Sequence, residues 1–230
     1  MKRLMNTVHR ILPRHAVLPL LLVVVVNFSC YIGSRMLPNW FPLDLAIFID
    51  DMTPLIPSSV YVYLLCYVTW VVNYIMIARE SKEVCCRFVA AEVTAKIICG
   101  IFFCVLHTYA VRPEITGNLP SEFLLRIVYE LDAADNLFPS VHCLVSYFCW
   151  RGLLWCPSVG RGYRTFSLVA AILVFLSTVL TKQHVFLDII GAVAVAEFSI
   201  WLSKKCRFER LIEKISPKPK KEENYGSEND

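Results

Sequence analysis

Six apolar stretches, near Val17 to Leu37, Pro57 to Ala78, Ala90 to Val111, Val141 to Trp155, Thr165 to Leu180 and Val185 to Leu202, constrain this 230-residue chain more than anything else in it. A helix needs roughly 20 apolar residues to cross the hydrocarbon of a bilayer. Composition agrees, with 57% hydrophobic and only 18% charged residues and a mean hydropathy of +0.55. The expectation is an all-α, polytopic membrane protein with six transmembrane helices. Arg151 interrupts the fourth stretch, but an arginine near a helix end can snorkel to the interface.

An even number of spans puts both termini on one side of the membrane, and basic residues mark the cytoplasmic side. Lys2, Arg3, Arg10 and Arg14 precede the first stretch; Arg79, Lys82 and Arg87 follow the second; Arg151, Arg161 and Arg164 flank the fourth loop; a further run extends from Lys204 to Lys221. Only Arg35, Arg112, Arg126 and Lys182 fall opposite, where the loops carry acid at Asp44, Asp50, Asp51, Glu114, Glu122, Glu130, Asp132 and Asp135. Both termini are therefore expected in the cytoplasm. The basic start with an apolar stretch is too long for a signal peptide and lacks a small-residue cleavage site.

The layout expected is a basic cytoplasmic segment over 1–16, a membrane domain over 17–203 and a polar, disordered cytoplasmic tail over 204–230. All ten cysteines lie in the apolar stretches or on the cytoplasmic side, which argues against a disulfide framework. The lack of a C-x-x-C pair argues against a zinc site, and no metal or cofactor is expected. No nucleic-acid partner is expected either. Between the third and fourth stretches, Phe123, Leu124, Ile127, Val128 and Leu131 recur at helical spacing after Pro120 and a capping Ser121, predicting an amphipathic helix on the outer leaflet. Glu92 and Lys96, four apart in the third stretch, read as a structural ion pair.

Polar chemistry gathers where the apolar stretches open on the outer side. Phe138-Pro139-Ser140-Val141-His142 begins the fourth, Thr181-Lys182-Gln183-His184 leads into the sixth with Asp188 just inside, and Arg112 follows the third. Ionisable groups near a bilayer core usually persist for a functional reason. His184 and Asp188, at i and i+4, share a helix face, so the carboxylate can hold one ring nitrogen while the other meets a substrate. That arrangement makes histidine a better nucleophile. Pro139 and Ser140 mark a helix start, a favourable place for a phosphate. His142 beside it would protonate a leaving oxygen, and Arg112 and Lys182 would neutralise developing charge.

F-P-S-x-H followed by H-x-x-x-D, with Arg112-Pro113 upstream, resembles the type 2 phosphatidic acid phosphatase superfamily over about the second half of the chain. The resemblance implies a metal-independent phosphohistidine mechanism. In it His184 attacks phosphorus, Asp188 orients it, His142 protonates the leaving alcohol, and Ser140, Arg112 and Lys182 hold the phosphate. The substrate would be a phospholipid or polyprenyl phosphate. Two cations of the family pattern are absent: Val105 stands in place of a lysine, and Ser177-Thr178 in place of Ser-Arg, with Lys182 and His107 as partial replacements. A monoester carries nearly two negative charges, so a less cationic pocket suits a diester better. The motifs also look like those of inositol phosphorylceramide synthase-like members, which makes headgroup transfer between lipids a rival to hydrolysis. From another class, the same polar mouth would serve a non-enzymatic lipid transporter or binding protein. A compact chain with a basic start and no organelle signal fits a bacterial plasma membrane with the site facing outward.

Overall fold

A computed structural model describes residues 11–37 and 42–217. The long helices are α1 (Arg14–Arg35), α3 (Val60–Glu80, entered through a 3₁₀ turn at Pro57–Ser59), α4 (Lys82–Val105), α7 (Arg161–Leu180) and α8 (Phe186–Cys206). These five are long and apolar enough to cross a membrane, so the chain reads as an integral membrane protein. Shorter elements are α2 (Phe48–Met52), α5 (Pro120–Leu131), α6 (Val141–Leu153), α9 (Glu209–Ile215), and the strands β1 (Pro42–Asp44) and β2 (His107–Tyr109).

Large apolar side chains face outward along the bundle, among them Leu21 and Phe28 on α1, Val68 and Val71 on α3, Phe166 and Ile172 on α7, and Ile190 and Phe198 on α8. Such a surface would aggregate in water and is at home in lipid. The interior centres on α4, whose buried face carries Cys85, Cys86, Ala90, Ala91, Ala95, Cys99 and Gly100. Small residues let neighbouring helices come close. A Cβ on Gly100 would lie 2.7 Å from Cys30 Sγ of α1.

The C-terminal ends of α1, α4 and α7 and the N-terminal ends of α3, α6 and α8 gather at one end of the bundle. There Tyr31 donates to Asp132, Ile56 N to Leu180 O at 2.9 Å, and Ser140 N to Asp188 O at 3.2 Å. At the other end His15 Nε2 meets Ala78 O at 3.0 Å, and Ser216 Oγ donates to His15 O at 2.8 Å. The first and last described helices therefore meet at the end away from the histidine motifs.

Several expectations need correction. The fourth apolar stretch yields α6, a 13-residue helix, only about 20 Å long and packed on α3, α7 and α8. Arg151, near its end, does not snorkel freely: its Nε donates to Glu197 Oε1 at 2.5 Å, and Tyr147 shares that carboxylate. The third helix starts at Lys82, because Cys85 and Cys86 bury its first turns despite Lys82, Glu83 and Arg87, and it stops at Val105. His107–Tyr109 instead runs parallel to Pro42–Asp44. The tail is not irregular from Lys204 onward. Lys204 to Cys206 continue α8, and α9 forms because Ile212 buries against the core while Lys82 Nζ holds Ser216 O at 2.8 Å. The remainder of the expected tail, 218–230, and most of the expected N-terminal segment, 1–10, lie outside the described residues.

The amphipathic helix forms as α5, but Leu119 rather than Ser121 caps it, with Glu122 accepting from Leu119 N at 2.7 Å. Its Leu125 and Val128 pack on Val60 and Tyr63 of α3. Glu92 and Lys96 are both buried without a contact-distance ion pair among the described residues; Glu92 accepts from Tyr74 OH instead.

Candidate active site

The last turn of α7 determines where His184 goes. Lys182 N donates to Val179 O and Gln183 N to Thr178 O, both at 3.0 Å, and Lys182 adopts a left-handed φ of 53°. This is a Schellman stop, usually made with glycine at the left-handed position. His184 N then donates to the same Thr178 carbonyl at 3.1 Å, so the loop is pinned before α8 begins.

His184 Nδ1 donates to Asp188 Oδ2 at 3.0 Å, and the same oxygen accepts Val185 N at 3.1 Å. Asp188 is fully buried, and its Oδ1 has no partner among the described residues. The carboxylate thus caps α8, where the helix dipole favours negative charge, and fixes the imidazole with Nε2 as its free lone pair. Asp50 adds a second carboxylate at that helix start, accepting Phe186 N at 2.8 Å.

The Phe138-to-His142 segment is held by groups distant in sequence. Thr108 Oγ1 accepts Leu137 N and Phe138 N at 2.8 and 2.9 Å. Gly191 leaves room for the Phe138 ring: a Cβ there would lie 2.4 Å from Phe138 Cε2. Ser140 is fully buried, caps α6 by accepting Cys143 N at 3.3 Å, and ties to the Asp188 carbonyl through its own N–H.

These supports bring the His142 and His184 rings to a centroid separation of 5.9 Å. Tyr67 OH lies 3.0 Å from His142 Nε2 and Tyr63 OH lies 3.4 Å from Nδ1. Tyr63 donates onward to Asp132 Oδ2 at 3.2 Å, so its oxygen is free to accept Nδ1–H; the tautomer follows from this network. Tyr31 OH donates to the other Asp132 oxygen at 3.1 Å. Each histidine is therefore backed by a carboxylate, His184 directly and His142 through a tyrosine.

Both rings line a cavity of 450 Å³ with Tyr31, Tyr63, Tyr67, Trp70 and Asp132, a size typical of small-molecule sites. Asn27, Phe28, Tyr67, Trp70 and Val141 also line a second, apolar groove of 650 Å³ descending between α1 and α3 toward Glu92 and Lys96. The two cavities thus lie side by side and share these five residues as a common wall.

The three expected phosphate ligands stand differently. Arg112 is adjacent to the site: Nη2 donates to Gln183 Oε1 and Nη1 to Asp132 O, both at 2.5 Å, while Nε is buried without a partner among the described residues. Burial lowers its pKa from the ordinary value, opposed by Asp132. Its guanidinium lies 4.7 Å from the centre of the Tyr129 ring, whose phenol is pushed up to about 12 by burial against the pull of Arg112. Lys182 turns away: its Nζ donates to Asp50 O at 2.8 Å and Thr53 O at 2.6 Å. The left-handed backbone that stops α7 sets that direction. Lys182, Ser140 and His107 are absent from the cavity wall. Sequence reasoning missed Tyr31, Tyr63, Tyr67 and Thr108, and took Asp132 only for an outer-loop acid.

No family model matches the chain, and no curated protein matches it.

Proposed function

We propose that the chain is a polytopic membrane enzyme that transfers or hydrolyses the phosphate of a lipid through a phosphohistidine on His184. The observation that carries this reading is the His184–Asp188 pair facing His142 in a cavity that shares a wall with an apolar groove. A head of phosphate and a tail of hydrocarbon match those two compartments. The likeness of Phe138–His142 and His184–Asp188 to the type 2 phosphatidic acid phosphatase motifs adds weight. The basic residues at the opposite end of the bundle argue for cytoplasmic termini and a site at the outer face.

In the first step His184 Nε2 forms a bond to phosphorus as the P–O ester bond breaks, and His142, entering the step as an imidazolium with Nδ1–H held by Tyr63, gives its Nε2 proton to the departing oxygen and is left neutral. Asp188 steadies the imidazole as it gains positive charge. In the second step an alcohol or water loses its proton to His142, its oxygen bonds to phosphorus, and the N–P bond breaks. Tyr67 OH would yield its place on His142 Nε2 to the reacting oxygen, while Tyr63 and Asp132 keep the ring oriented.

Transfer of a diester headgroup is favoured over monoester hydrolysis by the shortage of cations. Lys182 is committed to backbone carbonyls, leaving Arg112, bonded to Gln183 next to His184, as the cation at the site. One positive group matches the single charge of a phosphodiester.

The test is to incubate purified wild-type and His184→Ala protein with phosphorus-labelled lipids and candidate alcohol acceptors. Label moving to an acceptor, or to free phosphate, with wild type alone supports the reading. Turnover that persists in a folded His184→Ala protein, or none on any lipid, contradicts it and favours a binding or transport role.

A further inference from the structure

The cavity beside the two histidines has a character that phosphate alone does not explain. Its wall carries carboxylates, Asp132 and Asp135, and the aromatic side chains of Phe28, Tyr31, Tyr63, Tyr67 and Trp70, with no lysine or arginine among its lining residues. A bare phosphate pocket would show the opposite balance.

Asp135 already pairs with Arg35 at 2.6 Å. Asp132 has no contact-distance cation among the described residues and is held by two tyrosine hydroxyls. Arg112 touches Asp132 only at its backbone carbonyl and reaches toward Gln183, next to His184. Arg35 reaches Asp132 only through the Tyr31 hydroxyl, donating to it at 2.7 Å, so the Asp132 carboxylate makes no direct ion pair among the described residues and faces the cavity as its acidic group. The aromatic faces can take a cation: the Arg35 guanidinium already stacks on Tyr31, 4.3 Å from the ring centre. Tyr67, part of the same wall, is 47% exposed and stands in T-shaped contact with Trp70 at 4.9 Å. Aromatic rings with a nearby carboxylate form a favourable site for an alkylated ammonium, whose diffuse charge suits the negative face of a ring.

Building on the lipid-phosphate reading, we infer that this cavity binds an ammonium-bearing headgroup, so that the substrate is a zwitterionic phosphodiester lipid. The phosphate meets His184, the ammonium lies between Asp132 and the Tyr67 and Trp70 rings, and the hydrocarbon follows the groove that begins at Asn27 and Phe28. Inositol and glycerol headgroups present hydroxyls and lack the charge that Asp132 would match.

The experiment measures kcat/KM of the full-length protein in mixed micelles for phosphatidylcholine and phosphatidylethanolamine against phosphatidylinositol, phosphatidylglycerol and phosphatidic acid with the same acyl chains. A preference for the amine-bearing lipids of about tenfold or more is expected, in line with a desolvated cation–aromatic contact beside a carboxylate. Asp132→Asn keeps an oxygen for the tyrosines and removes the charge, so the preference falls toward unity even where turnover drops on every lipid. Tyr67→Phe retains the preference and Tyr67→Leu loses it, which separates the ring from its hydroxyl and covers the case in which Asp132→Asn does not fold. His184-dependent turnover that is equal or greater on the inositol, glycerol or monoester lipids overturns the inference and leaves the enzyme reading standing. A preference unmoved in both Asp132→Asn and Tyr67→Leu also overturns it. Absence of His184-dependent turnover on all five lipids overturns both.

Discussion

Replacing Asp188 by asparagine isolates what its charge does for His184. The carboxylate makes a charge-assisted bond to His184 Nδ1–H at 3.0 Å, is fully buried, and caps Val185 N at 3.1 Å. Asparagine can keep both bonds through Oδ1, so ring orientation survives, but it removes the charge that stabilises an imidazolium as the N–P bond forms. Hydrogen bonds to charged groups contribute about 1.5–3 kcal/mol, and every ~1.4 kcal/mol is tenfold in rate, giving a loss of roughly 10- to 100-fold in kcat. Stability also falls. The asparagine amide takes the place of Oδ1, which has no partner among the described residues, and a buried unsatisfied donor costs about 1–3 kcal/mol. Single-turnover phosphorylation measured alongside thermal unfolding in detergent separates the two effects. A folded Asp188→Asn protein phosphorylated within twofold of the wild-type rate would refute the reasoning.

Other predictions bear on the supports of the site. Gly191→Ala drives a Cβ into the Phe138 ring, which is itself packed edge-on against Phe102 at 5.3 Å; overpacking of this kind costs about 1–3 kcal/mol. A clearly lowered unfolding temperature is expected, and an unchanged one would show that the ring moves freely. Lys182→Met should lower stability through loss of the bonds to Asp50 and Thr53 carbonyls while leaving KM within about twofold, since Nζ is directed away from the cavity. A tenfold rise in KM would make Lys182 a phosphate ligand after all.

Much of this site is local in sequence, and that part is legible there. The i, i+4 spacing of His184 and Asp188 places them on one helix face before any fold is known, and the apolar runs locate five long helices. The periodicity of Phe123 to Leu131 locates α5, although Glu122 and Leu119 move its cap. What escapes is carried by long-range contact. Tyr31, Tyr63 and Tyr67 look like ordinary apolar-face aromatics in α1 and α3; only packing brings their hydroxyls to Asp132 and His142. Lys182 looks like a phosphate ligand by type and position, yet the left-handed residue that terminates α7 aims it at Asp50. The early start of α4 is hidden because Lys82, Glu83 and Arg87 interrupt the hydropathy, while Cys85 and Cys86 supply the burial. Arg151 and Glu197 pair across α6 and α8, a match no local pattern reveals.

The claim at the centre is a covalent bond between phosphorus and His184. Wild-type, His142→Ala and His184→Ala proteins, mixed briefly with lipid labelled at phosphorus and quenched in alkali, would be separated from lipid and assayed for protein-bound label. The account predicts alkali-stable, acid-labile label on wild-type protein that maps to His184, less of it on His142→Ala, and none on His184→Ala. Equal label on folded wild-type and His184→Ala proteins, or lipid turnover with no protein-bound label at any mixing time, would contradict it.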